Sequence, residues 1–142
     1  MAYRKKKKIE DFTSQFEKDL IIAVGGKGFV TSIGSMMYDV EYRGQFFSIV
    51  DNVNEGMQIV KTFCSKKNCK KEFGMDYKDV LALAEQLDFN EEKTHDLGKC
   101  IIMDISIALD DISPKRIRNV FEQIMAANEA LRERIRETES GE

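Results

Sequence analysis

The chain has 142 residues, of which 42% are hydrophobic and 33% are charged, and it contains a single proline. The length gives one domain of ordinary size, and the composition excludes collagen-like, mucin-like and wholly disordered chains, which cannot bury this much apolar surface. The longest nearly apolar run, residues 100–109, is interrupted by Asp104 and Ser106 and is far shorter than the ~20 residues that cross a bilayer. We therefore expect a folded domain with no transmembrane segment.

The net charge of −3 is distributed unevenly along the chain. Residues 1–75 carry 13 Lys and Arg against 9 Asp and Glu, a balance of +4, and residues 76–142 carry 9 against 16, a balance of −7. Such a division suits either a face that binds polyanions or self-association of the basic half of one chain with the acidic half of another.

The start of the chain and its cysteines indicate a cytoplasmic protein. Glu10 and Asp11 stand where the apolar part of a secretory signal should begin. Three cysteines are an odd number, which excludes a fully paired intramolecular disulfide framework. We expect reduced thiols.

Residues 1–8 are too highly charged to pack, so we expect a disordered basic arm, a single domain over residues 9–138 and a frayed tail over residues 139–142. Apolar residues then recur every three or four positions and predict a helix over residues 9–24, which ends at the glycines of residues 25–28. The stripe consists of Ile9, Phe12, Phe16, Leu20 and Val24. A hairpin over residues 20–33 is the alternative, because both flanks of the glycine loop are rich in β-forming residues.

Residues 36–50 are the clearest β signal. Two segments rich in Tyr, Val, Phe and Ile flank Arg43 and Gly44, which predicts a β-hairpin.

Two more helices are expected after the hairpin. Asp51 or Asn52 could cap the first, which would fade in the lysine-rich residues 66–71. Its apolar stripe would be Val53, Met57, Val60 and Cys64. Asp76 is a suitable N-cap for the second, which would end before Phe89. Its apolar side would hold Val80, Leu83, Ala84 and Leu87.

Residues 91–112 suit either a helix or a strand, and the ambiguity is centred on residues 99–109. Odd-numbered apolar residues from 101 to 109 alternate as in a strand, but the apolar residues from 97 to 112 also form one continuous helical face. We favour the helix slightly, although Gly98 and the run of isoleucines oppose it.

The last helix should begin with Ser113 as N-cap and Pro114 in its first turn, and it should continue to about residue 137. The sequence thus predicts a mainly helical α+β domain with one hairpin and a long C-terminal helix. The apolar stripe of the last helix could serve as the seam of a homodimer or as ordinary core. It consists of Ile117, Phe121, Ile124, Leu131 and Ile135.

The three cysteines and the single histidine form the sharpest candidate site. Thiolates and a neutral imidazole are the donors that tetrahedral zinc prefers. The donor set would be Cys64, Cys69, His95 and Cys100. Each pair is separated by four residues, and in a helix such positions diverge by about 140°. We therefore favour Cys64 and Cys100 as small core residues, Cys69 in a solvated lysine loop and His95 on a polar helix face, and we expect no cofactor.

Basic residues give a second candidate site, for nucleic acid. Dense Lys and Arg clusters can bind phosphates. The residues are Arg4, Lys5, Lys6, Lys7 and Lys8 in the arm and Lys66, Lys67, Lys70 and Lys71 in the predicted loop. Residues 25–28 lack the Lys-Ser/Thr ending of a phosphate-binding loop, so we expect a turn there.

Catalysis has little support in the sequence. Nucleophilic chemistry would depend on His95, and Asp104, Asp110 and Asp111 could act as acids or bases but suit the end of a helix or strand better. We therefore expect a small cytosolic, non-enzymatic regulatory or adaptor protein that acts by protein–protein contact, with a partner protein or with a second copy of itself as a homodimer. Nucleic-acid binding is the alternative.

Overall fold

The computed structural model describes residues 14–34 and 36–140. Its centre is a six-stranded antiparallel sheet with the strand order β1-β2-β3-β4-β6-β5. The strands are β1 (Gly28–Ser32), β2 (Met37–Tyr42), β3 (Gln45–Asp51), β4 (Gly56–Ser65), β5 (Asn90–Thr94) and β6 (Gly98–Ala108). The fold is a sheet-dominated α+β fold, and the prediction of a mainly helical domain with one hairpin is wrong.

Four α-helices accompany the sheet in the described part of the chain. They are α1 (Gln15–Val24), α2 (Lys66–Phe73), α3 (Tyr77–Glu85) and α4 (Pro114–Ser140). Their buried side chains share one hydrophobic core with alternate residues of the strands. Successive side chains of a strand point to opposite faces of the sheet. Since the core contains alternate strand residues, the helices cover one face of the sheet.

Serine residues cap the starts of two helices. Ser113 is the predicted N-cap of the last helix, but the predicted first helix does not run through residue 14, because Ser14 has an extended backbone and α1 begins after it. The Ser14 hydroxyl caps α1 by accepting a hydrogen bond from the Glu17 amide, and Ser113 does the same for Arg116 in α4, each at 3.1 Å. Helix α4 extends a few residues beyond the predicted end. Residues 9–13 of the first predicted helix and the whole basic arm lie outside the described residues.

The predicted hairpin is confirmed, with β2 and β3 joined by a turn at Arg43 and Gly44. Ahead of it, β1 adds to the sheet through Gly28, which lies against the backbone of β2. A Cβ atom at Gly28 would overlap the carbonyl oxygen of Glu41. This position therefore requires glycine for the close approach of the two strands.

The helix predicted to follow Asp51 or Asn52 is wrong, since β4 occupies that segment. Met57 and Ile59 are completely buried two residues apart, as a strand requires. The predicted helical stripe mixed Met57, on the core face of β4, with Val60, on the opposite face, and with Cys64, which follows a shift in register after Thr62. The lysine-rich segment, where the helix should have faded, is itself the helix α2.

Residues 91–112 are strands in the main, so the favoured helical interpretation is wrong there. Strands β5 and β6 form a hairpin whose turn is fixed by Gly98, with φ of 70°, and by the Thr94 hydroxyl, which accepts a hydrogen bond from the Leu97 amide at 3.0 Å. β6 lies between β4 and β5, and its successive residues Cys100, Ile101, Ile102 and Met103 are all buried, so side chains on both faces of this part of the strand are apolar.

Candidate protein-binding surface on the sheet

The apolar stripe predicted as a dimer seam lies in the core. Phe121 is completely buried, and its ring centroid lies 5.1 Å from that of Tyr42 and 4.6 Å from that of Phe47. The other stripe residues are equally buried: Ile117, Ile124, Leu131 and Ile135. This face of α4 therefore packs on the sheet of its own chain and is not presented to a second copy.

The predicted zinc donors do not share one environment. Cys64, Cys69 and Cys100 are buried and free, whereas His95 is exposed at the turn between β5 and β6. The expectations of a solvated Cys69 and of a helical His95 are therefore wrong, because Cys69 lies on the buried side of α2 and residues 90–108 form a hairpin. Burial raises the pKa of the Cys64 and Cys69 thiols, which disfavours the thiolates that zinc needs. Within residues 14–34 and 36–140, no group of three or more His, Cys, Asp or Glu side chains is arranged to hold a metal ion.

The basic residues of the nucleic-acid hypothesis are only partly described. Lys66, Lys67, Lys70 and Lys71 are all exposed on α2, and Arg4, Lys5, Lys6, Lys7 and Lys8 lie outside the described residues. The Lys70 ammonium lies 3.1 Å from Asp76. Phe73, at the end of α2, could stack on a nucleic-acid base only with a free ring face. Its ring stacks on Phe63 of the same chain, with ring centroids 4.9 Å apart, so one face is covered.

The residues considered for catalysis are dispersed. Asp104 lies in β6 and accepts a hydrogen bond from the Gln58 amide group at 2.9 Å. Asp110 and Asp111 lie in a short 3-10 helix after β6, and neither has a described hydrogen bond to His95. Residues 25–27 form a 3-10 turn that closes α1, as expected for this glycine loop.

The surface that sequence reasoning missed is the face of the sheet opposite the helices. We call it the open face: the odd-numbered residues of β1 and β2, and the even-numbered residues of β3, β5, β6 and of β4 as far as Thr62. These positions share a face because directly paired residues of neighbouring strands point the same way. At the β6 end of this face Cys100 and Ile102 are buried, so its exposed apolar part lies on β1, β2 and β3.

Large apolar side chains are exposed on the open face. Phe29 of β1 is 61% exposed, Phe46 of β3 is 66% exposed and Met37 of β2 is 44% exposed. Together with Val60 of β4, the two phenylalanines line a groove of about 550 Å³ across the first four strands. Exposed apolar groups concentrated in this way are typical of an interaction site.

The register places carboxylates among these apolar groups. Glu41 of β2 is paired with Phe29 on one side and with Phe46 on the other. In the next row, Asp39 lies between Thr31 and Ser48. The two rings of the groove are therefore separated by one carboxylate, and a second carboxylate lies in the adjacent row.

All the ionised residues at open-face positions of the described strands are acidic. They are Asp39, Glu41, Glu92 and Asp104. Lys61 also lines the groove, but its ammonium donates to the carbonyl oxygen of Phe46 at 3.1 Å and lies 5.2 Å from the centroid of the Phe47 ring. Burial lowers the pKa of the Lys61 ammonium.

No protein-family model matches the chain, and no curated protein matches it. The crystal structure of an uncharacterized protein from Methanothermobacter thermautotrophicus is similar to it, with a TM-score of 0.58 and 12% sequence identity over 85% of this chain and 94% of that chain. At this identity the similarity shows a shared fold. Among the described helices, none combines the length and the apolar character that crossing a membrane requires.

Proposed function

We propose that this chain is a non-enzymatic regulatory or adaptor protein that binds a partner protein through the open face. The observation that carries the proposal is the exposure of Phe29 and Phe46, on either side of Glu41 in one row of the sheet, on the face opposite the helices. Leaving two phenylalanine rings in water is unfavourable by about 1.5–3 kcal/mol each relative to burial, which a partner would recover.

The non-enzymatic part of the proposal rests on the placement of the candidate catalytic groups. His95 lies at the exposed β5–β6 turn, and Asp110 and Asp111 lie in the 3-10 helix at the far end of β6. General acid–base catalysis needs such groups within hydrogen-bond reach of one substrate. We further propose that the protein acts in the cytoplasm, since its three cysteines are all free thiols.

The experiment compares three forms of the full chain as bait in a native cell extract. The first is the wild type, the second is Phe29→Ser/Phe46→Ser, and the third is the matched control Ile22→Ser/Leu109→Ser, whose apolar residues are 56% and 50% exposed away from the open face. We expect proteins that the wild type and the control retain to be lost from the open-face variant. Equal retention by all three forms, or retention by none, would contradict the proposal.

Nucleic-acid binding is a second candidate, favoured by the four exposed lysines of α2. This candidate predicts that the chain binds single- or double-stranded nucleic acid of any sequence. Its affinity should fall steeply as salt is added. Changing Lys66, Lys67, Lys70 and Lys71 to Glu should abolish such binding. Absent binding, or binding that is unchanged at about 0.5 M salt, where surface charges are largely screened, would remove the candidate.

A further inference from the structure

We propose that the segment bound by the open face is cationic and amphipathic: large apolar side chains that cover the groove, with Lys or Arg beside them. This inference rests on the proposed function, because it names the chemistry of the partner at that same surface. The strand register fixes the spacing of the charged and apolar groups that such a segment would contact.

Phe29, Glu41 and Phe46 form one row across three strands. Neighbouring strands lie about 4.8 Å apart, so the two phenylalanine positions are separated by about 10 Å with the carboxylate between them. Asp39 follows two residues along β2, about 7 Å from Glu41. A bound segment that places an apolar side chain in the groove would therefore bring its neighbouring residues within reach of the Glu41 or Asp39 carboxylate.

These carboxylates are not neutralised within the described residues. The ion pairs described there join Arg43 to Glu122, Lys70 to Asp76, and Arg136 to two glutamates of α4. None of them includes Asp39 or Glu41. A partner that supplies ammonium or guanidinium groups would complete this surface, whereas an acidic partner would meet like charge.

The same charge argues against other occupants. Two copies of this chain placed face to face would bring acidic rows against each other, and phosphate groups of nucleic acid or of a membrane surface would meet Asp39, Glu41 and Asp104. The arm residues Arg4, Lys5, Lys6, Lys7 and Lys8 have the favourable sign. The arm of the same chain could therefore compete with a partner for the open face, and the experiment must distinguish these two occupants.

The probe is a synthetic amphipathic peptide of Leu and Lys labelled with fluorescein, and its matched control has Glu in place of every Lys. Binding to the full chain is measured by fluorescence anisotropy at low and at high salt. We expect the Lys peptide to bind, the Glu peptide not to bind, and added salt to weaken the complex.

Two pairs of substitutions locate the site. Asp39→Asn/Glu41→Gln removes charge with little change of shape, and about a tenfold loss of affinity is expected for two exposed charge pairs. Glu55→Gln/Asp110→Asn removes the same charge from exposed positions outside the open face and should leave the affinity unchanged. Thermal unfolding of each variant confirms that it is folded.

The contrary outcomes are distinct. Equal binding of the Glu and Lys peptides, or no binding of the Lys peptide to the wild type, would overturn the cationic partner but leave the open face as a docking surface. Lys-peptide binding that both Asp39→Asn/Glu41→Gln and Phe29→Ser/Phe46→Ser leave intact would overturn the partner chemistry and the proposed surface together.

Two further measurements exclude the remaining occupants. If changing Arg4 and Lys5–Lys8 to Ser raises the affinity for the Lys peptide more than about tenfold, the arm is the resident of the open face and the proposal of a partner fails. If sedimentation shows a dimer that Phe29→Ser/Phe46→Ser dissociates, the occupant is a second copy and the proposal also fails.

Discussion

The hydroxyl of Tyr42 donates a 2.6 Å hydrogen bond to Oε2 of Glu122, 80 residues away, and joins β2 to α4. The Arg43 guanidinium approaches the same carboxylate, with its NH1 atom 2.9 Å from Oε1 and 3.0 Å from Oε2. One carboxylate of α4 therefore holds the β2–β3 turn against the helix layer.

Replacing Glu122 by Gln should lower the free energy of unfolding by about 1 kcal/mol, because the charged acceptor is lost but water partly screens its ion pair. The change is measured by urea denaturation. Glu137→Gln, on the exposed end of the same helix, is the matched control and should unfold like the wild type. An unchanged midpoint for Glu122→Gln would show that the contact does not contribute.

The same carboxylate gives a pH dependence. The hydrogen bond from Tyr42, followed by the contact with Arg43, lowers the pKa of Glu122. Glu122 therefore binds its proton more weakly in the folded state, and its contribution to stability is present above the unfolded pKa of about 4.3 and is lost as the pH falls through the lower folded pKa. Unfolding measured between pH 7 and 2 should show a smaller acid loss for Glu122→Gln than for the wild type; equal losses would contradict this assignment.

Gly28→Ala should destabilise the fold by about 1–3 kcal/mol, because the added methyl group overlaps the Glu41 carbonyl oxygen and forces β1 away from β2. The control is Gly26→Ala, where the new Cβ atom meets nothing within 4 Å. Thermal unfolding should separate the two variants. Equal stability would show that β1 can shift without cost.

The three cysteines should be unreactive in the native protein. They are buried, and burial raises the pKa of Cys64 and Cys69, so few thiolates are present at neutral pH. Labelling with a thiol reagent should proceed only as fast as the protein unfolds and should reach three thiols in denaturant. Rapid labelling under native conditions would contradict this burial.

The exposed rings of the open face should contribute little to folding. Phe29→Ser and Phe46→Ser, at 61% and 66% exposure, are each expected to change stability by no more than about 0.5 kcal/mol. Phe121→Ala in the core should cost about 3–5 kcal/mol. Chemical denaturation of the three variants checks the contrast, and a large loss for either surface variant would show that the ring supports the fold.

Local signals predict part of this fold and no more. The β2–β3 hairpin and the start of α4 were predictable, because turn residues, Ser113 and Pro114 act on their immediate neighbours. Strand β4 was not predictable, because it forms by pairing with residues far away in the sequence, such as Gln58 with Ser106. The spacing of its own apolar residues resembles that of a helix. Helix periodicity cannot show whether a sheet of the same chain or a second copy covers the stripe.

The open face was beyond sequence reasoning for the same reason. Phe29, Glu41 and Phe46 are separated in sequence, and only the register of β1, β2 and β3 brings them into one row. Alternation in β3 shows that one face carries Phe46 and the other Phe47. Which of the two is covered depends on where α4 packs.

The most direct test of the central claim is a map of backbone amide chemical shifts during titration of the full chain with the Leu and Lys peptide. We expect changes concentrated at Phe29, Asp39, Glu41, Phe46 and Val60, with α2 and the outer side of α4 unchanged. Shifts concentrated on the helices, or none at saturating peptide, would contradict the open face as the binding surface.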